Sequence, residues 1–174
     1  MSVNSIRITS GALKGRKIAT PGGPTHPMGE RERLALFNMI TGDITGASVL
    51  DAFAGSGALG IEALSRGANS VLFVEQNATA VKTIRENLAN LGLDAEVFRG
   101  KVSAYHSNIK YDLILADPPY DDFDLTEVSA LLPHLTEDGV LVLSHPDEAP
   151  ELKGVSLIKS KQYAGARISV YARG

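Results

Sequence analysis

Residues 48–75, "SVLDAFAGSGALGIEALSRGANSVLFVE", decide the fold. "SVLDAFA" reads as a buried strand, "GSGALGIEALSRG" as a glycine turn opening a helix, and "SVLFVE" as a second strand. Two such strands joined through a helix run parallel with a right-handed crossover. The rhythm continues downstream. "NATAVKTIRENLANLGL" is a helix ended by Gly92, "AEVFRG" a third strand and "YDLILAD" a fourth. "TEVSALLPHL" reads as a helix, "GVLVLSH" as the fifth strand, and "VSLIKS" with "ARISVY" as a closing pair. The expectation is a doubly wound, Rossmann-like α/β sheet, mostly parallel, with an antiparallel closing strand. Ligands of such sheets bind at the carboxyl ends of the strands. Asp51, Glu75 and Asp117 end three of them and should meet in one cleft.

Upstream, "SIRITSGALKGRKIAT" reads as a β-hairpin around "GALKG", and "PGGPTHPMG" as a loop. "ERERLALFNMI" places Leu34, Phe37 and Ile40 at helical spacing. Arg31 and Arg33 open that helix, where positive charge opposes the macrodipole, so they are expected to serve something other than helix stability. The division expected is a basic hairpin and loop over residues 1–29 and a catalytic domain over 30–174.

The chain has 174 residues and is 44% hydrophobic, enough for one core. No apolar run approaches the ~20 residues of a membrane span. The absence of cysteine excludes disulfides, thiolate metal sites and cysteine nucleophiles, and the four histidines show no metal spacing. A cytoplasmic enzyme without a metal is expected, its histidines on surface or loops. The net charge of −3 conceals a sorted distribution. Residues 1–33 hold six basic side chains against two acids, and residues 153–174 five against none. Everything between is strongly acidic. Basic ends around an acidic body point to a polyanion.

Gly55-x-Gly57-x-x-Gly60 follows a strand and opens a helix. The first two glycines permit a tight turn and close backbone approach, the third close helix–sheet packing. Glu75, at the end of the next strand, can accept hydrogen bonds from both hydroxyls of a ribose. This pattern specifies a nucleoside cofactor and equally describes a nicotinamide site.

"LILADPPY" ends the fourth strand differently. Pro118 and Pro119 have no N–H and hold φ near −65°. The Pro118 carbonyl is then left beside the Asp117 carboxylate, two acceptors suited to the two protons of a planar amino group. Fixing both protons orients a weakly nucleophilic nitrogen and stabilises the charge that develops on it. Tyr120 can stack on the base. A dehydrogenase would leave these residues without a task.

Leu50-Asp51 through Gly57 resembles the first motif of class I S-adenosylmethionine-dependent methyltransferases, and Asp-Pro-Pro-Tyr resembles the signature of their amino-directed members. The whole chain resembles the bacterial 16S rRNA guanine-N2 methyltransferases that modify guanine 966. The similarity rests on "RITSGALKGRKI", "ERERLALFNMI", "VLDAFAGSGALGIEALSRGA", "VLFVEQN", "DLILADPPY" and the basic closing strands. It implies S-adenosyl-L-methionine held by Asp51, Phe53, Ala54, Gly55, Ser56, Gly57, Glu75 and Gln76, bordered by Asp117. The stretch "RGKVSA" has no acid where many class I enzymes use one to contact adenine, so backbone and apolar contacts, with Val102, are expected there. It implies catalysis by Asp117, Pro118, Pro119 and Tyr120. The implied substrate is 16S rRNA within an assembling 30S particle, where ribosomal proteins complete the surface, gripped through Arg7, Lys14, Arg16, Lys17, Arg31 and Arg33. His26, Met28, Gly29 and Leu34 depart from the family's usual Arg, Thr, Thr/Ser and Glu at those positions. The rival readings are an adenine-N6 DNA or RNA methyltransferase and a non-catalytic RNA-binding module.

Overall fold

A computed structural model describes residues 4–22 and 27–173; His26 lies outside them. Seven strands form the main sheet: β3 (Ser48–Ala52), β4 (Ser70–Glu75), β5 (Glu96–Arg99), β6 (Tyr111–Ala116), β7 (Leu135–His145), β8 (Ser156–Tyr163) and β9 (Ala166–Ala172). Their order is β5-β4-β3-β6-β7-β9-β8. The first five run parallel, and β9 enters antiparallel between β7 and β8. The expected doubly wound sheet is present. Its order reverses between β3 and β6, so a cleft opens there at the strand ends.

Helices α1 (Glu30–Met39), α2 (Ala58–Ser65) and α3 (Ala78–Leu91) contribute Phe37, Ile40, Leu59, Ile61, Ile84 and Leu88 to the apolar layer on one face. The other face buries Leu50, Ile114, Leu141 and Tyr171 with Val128 of the short α4 (Leu125–Ser129). The α3 helix shows why these segments fold as they do. Ala80, Val81, Ile84 and Leu88 recur on its buried face. The Asn77 side chain caps its start by accepting from Ala80 N–H, worth about 1 kcal/mol, and Gly92 ends it at φ 67°. The helix expected over "TEVSALLPHL" is cut short. Pro133 has no N–H to bond the Ser129 carbonyl, so α4 stops and a 3₁₀ turn follows at Leu132–His134. His134 and His145 are buried, contrary to the surface positions expected; His106 is exposed.

The face expected of α1 is turned by one residue. Leu34 is 41% exposed, while Arg33 is 1% exposed and lies among Leu36, Phe37 and Ile40. Its guanidinium sits 3.4 Å from Glu62 and donates to the backbone carbonyls of Met28 and Arg7. This corrects the expectation that Arg33 meets RNA, since its donors are committed inside the fold. Glu62 of α2 is fully buried and accepts from Thr9 N–H, the Thr9 hydroxyl, Ser10 N–H and Arg66 as well. A buried carboxylate is tolerable only with such a set of donors.

Those bonds dock the N-terminal hairpin, β1 (Ser5–Arg7) against β2 (Lys17–Ala19). Ile8 and Ile18 join the main apolar layer, so the hairpin shares the core of the sheet. Its turn rests on the C-terminal end of α2, where Ala12 N–H donates to the Ser65 carbonyl and Leu13 N–H to the Ser65 hydroxyl. Gly11 is required there: a Cβ would lie 1.9 Å from the Ser65 carbonyl oxygen. Replacing Glu62 with Ala should lower the unfolding free energy by about 3–5 kcal/mol, because Arg33 is left buried without its partner. Urea unfolding of the two proteins checks this.

Candidate active site

Strand β3 leads into the glycine turn with an unusual residue. Phe53 has φ 56°, the only non-glycine among the described residues in the left-handed region. That conformation costs about 1–2 kcal/mol and is retained at the mouth of the cleft. Gly55 (φ 58°) and Gly57 (φ 83°) follow, and Ala54 N–H donates to the Val74 carbonyl at 3.0 Å. Nothing lies within 4 Å of where a Gly55 Cβ would stand, so a ligand can approach that backbone directly. Gly60 is required for the opposite reason, since a Cβ would meet the Phe73 ring at 2.3 Å. Gly60 thus shows the close packing expected of it, whereas Gly57, expected with Gly55 to let a ligand approach, would set a Cβ 3.3–3.4 Å from Phe73, Ile61 and Ile84.

The three strand-end carboxylates do converge. Asp51 is buried, and its carboxylate accepts from Gly60 N–H at 2.9 Å, fixing the first turn of α2. Glu75 accepts from Gly55 N–H and Asn77 N–H, both at 2.8 Å. It therefore lies across the glycine turn from the next strand, with lone pairs left for further donors. Burial first, and then repulsion from Asp117 and Glu75, hold the Asp51 carboxyl well above the usual range, while the Gly60 bond opposes them. Gln76 is exposed beside Glu75, and Val102 is buried in a 3₁₀ turn (Val102–Ala104) after β5.

Asp117 follows β6 directly and is half-buried; burial pushes its carboxyl up to about 6, against a lowering hydrogen bond from Ser144. Pro118 is buried and Pro119 exposed, and among the described residues no backbone donor outside the regular elements reaches the Pro118 carbonyl. The Tyr120 hydroxyl bonds the Ser144 hydroxyl. Ser144, fully buried near the end of β7, follows Leu143, which pairs with Ala116, so it stands beside Asp117 with the Tyr120 hydroxyl bonded to it. That bond fixes the Tyr120 ring against β7. Sequence reading missed Ser144, although a serine in the apolar run "GVLVLSH" was the available signal. It missed Asn87 too. This α3 side chain donates to the carbonyls of Ser56 and Ala19 and accepts from Ala19 N–H, tying the glycine turn to β2.

The basic residues expected to meet RNA do not gather at this mouth. Lys14, Arg16 and Lys17 are exposed on the hairpin, whose turn lies against Ser65, at the opposite end of α2 from Gly57. Arg16 donates to the Asn90 carbonyl at 3.3 Å. Arg7 and Arg31 are exposed, and Arg33 is enclosed.

A family model described as "Conserved hypothetical protein 95" matches residues 6–172. The "Putative rRNA methyltransferase YlbH" of Bacillus subtilis is 36% identical over 182 residues, covering 97% of this chain and 99% of the relative. The "Ribosomal RNA small subunit methyltransferase D" of Escherichia coli is 36% identical over 131 residues, 73% of this chain and 66% of that protein. Among solved structures, "Putative methyltransferase yhhF from Escherichia coli" superposes with a TM-score of 0.89 at 29% identity, covering 98% of both chains.

The raised Asp117 carboxyl has a consequence for stability. The folded chain holds a proton that the unfolded chain releases between about pH 4 and about 6, so this group's contribution is greatest below 4 and is lost as pH rises through about 6. Asp117→Asn should therefore be more stable than the parent at pH 8, with the difference fading below pH 4, as measured by urea midpoints at both. Ser144→Ala removes the one lowering contact and should move the Asp117 titration upward, as followed by carboxyl carbon NMR.

Proposed function

Because the chain belongs to the conserved hypothetical protein 95 family, to which it matches over residues 6–172, we propose that it is an S-adenosylmethionine-dependent methyltransferase acting on the exocyclic N2 of a guanine in small-subunit rRNA. The single observation that carries the reading is Asp117 at the sheet's switch point, with Tyr120 bonded to the adjoining Ser144, beside an open glycine turn. The cofactor fits the residues present. Open space at Gly55 would admit the methionine backbone, Glu75 would accept from the ribose hydroxyls, and Val102 would give the adenine apolar contact. Bound there, S-adenosylmethionine supplies an electrophilic methyl group on a sulfonium.

The chain's own residues do the rest. The Asp117 carboxylate and the Pro118 carbonyl accept the two amine protons, which aims the nitrogen lone pair at the methyl carbon. With the cofactor bound, Asp117 would stabilise the positive charge that develops on the amine nitrogen. That carboxylate, titrating at about 6, then takes the surplus proton. Tyr120, its hydroxyl tethered to Ser144, presents its ring to the base. The guanine must leave its stack to reach this cleft. No helix among the described residues is long and apolar enough to cross a membrane. We place the protein in the cytoplasm, acting on an assembling 30S particle whose ribosomal proteins complete the binding surface.

Tritiated methyl transfer to 30S particles lacking the modification tests this directly. The wild type should label their rRNA, whereas Asp117→Ala should lose transfer by at least a hundredfold while binding S-adenosylmethionine within a few fold of wild type by calorimetry. Full activity in that variant would sink the amine-clamp mechanism.

A further inference from the structure

The turn of the N-terminal hairpin lies at the far end of α2 from the glycine turn, whereas the other basic end forms the strands that extend the sheet beyond β7, which carries Ser144. Residues 153–174 hold Lys153, Lys159, Lys161, Arg167 and Arg173 and no acid. They form β8 and β9, and β8 is the outermost strand of the sheet. Register places the two lysines of β8. Ser144 pairs with Ile168, which pairs with Lys161; one row back, Val142 pairs with Val170, which pairs with Lys159. Directly opposed residues share a face. Lys161 therefore stands on the same face as Ser144, two strand spacings or about 10 Å away.

Both lysines are exposed. The Lys159 ammonium donates to the Met39 carbonyl at the C-terminal end of α1, and that of Lys161 lies 5.8 Å from the centre of the Tyr163 ring. The two arginines of this segment are occupied elsewhere. Arg173 donates to the Leu132 carbonyl, and Arg167 points to the opposite face, 4.0 Å from Glu148. The face that carries Ser144 thus presents a short lysine row, with no acid on its own strand, leading to the amine clamp.

Resting on the methyltransferase reading above, we propose that β8, through Lys161 and Lys159, holds the phosphates that flank the extruded nucleotide. An edge strand explains lysines in another way, because they deter pairing with a second sheet, and the bulge between Leu157 and Lys159 does the same. That explanation needs any charge at these positions, whereas a phosphate contact needs a positive one. Charge reversal separates the two: glutamate still guards the edge but repels RNA.

The experiment compares wild type, Lys161→Glu and Lys159→Glu/Lys161→Glu in filter binding to 16S rRNA across a salt series and in methyl transfer to 30S particles. The single variant is included because a carboxylate at 159 would face the Met39 carbonyl and weaken α1. A phosphate contact predicts a KM at least tenfold higher, with a smaller change in kcat, and a log–log salt slope reduced by about 0.7–0.9 for each lysine reversed. Unchanged KM and slope in both variants would overturn the proposal and leave the lysines as edge protection. Failure of the methyltransferase reading is distinguishable, since it would appear as absent transfer in the wild type. The binding slopes would still judge the strand in that case.

Discussion

Parallel strands of one sheet are joined almost always by right-handed crossovers, and that constraint gathers Asp51, Glu75 and Asp117 at one end of this sheet. With β3 and β6 adjacent and their connections leaving in opposite directions, Asp51, Glu75 and Asp117 must end side by side. Three acids in one cleft repel each other and lose hydration. The molecule answers them differently: Asp51 is held by Gly60 N–H and Glu75 by Gly55 and Asn77 N–H, whereas Asp117 stays half-buried beside Ser144. The first two consolidate a backbone turn. Burial leaves the third shifted up to about 6, where its charge responds to what binds beside it.

The hairpin is fastened to this arrangement by polar groups in unusual depth. Glu62 gathers donors from the chain after β1, from α1 and from its own helix, while Asn87 spans β2 and the glycine turn. Residues 9, 10 and 19 are therefore bonded directly to α2 and α3, the helices that flank the glycine turn. The expected hairpin is present, but its docking face, rather than its basic tip, is what the structure connects to the cleft.

Much of this was legible beforehand because the signals were local. Strand β4 starts and stops where its apolar run does, and α3 where Asn77 and Gly92 stand. The roles of Gly55 and Gly60 were readable from spacing, because a tight turn and a close crossing both need glycine at fixed offsets. What escaped depended on partners distant in sequence. Arg33 looks like a surface charge until Glu62, 29 residues on, supplies its carboxylate. Once that pair is buried, the apolar stripe of α1 turns and Leu34 faces solvent. Ser144 looks like an interruption of an apolar strand until Tyr120 and Asp117 close around it. The placement of Lys161 depends on β9 inserting between β7 and β8, an order that periodicity does not encode.

The central claim is that Asp117, Pro118 and Tyr120 present an exocyclic guanine amine for direct methylation. Its most direct test is the identity of the product: rRNA labelled by the wild-type protein, digested to nucleosides and resolved by chromatography with mass detection. The account predicts label in N2-methylguanosine. Label in N6-methyladenosine would contradict the guanine assignment while preserving the clamp, and label on a ring carbon or a ribose would contradict the clamp itself.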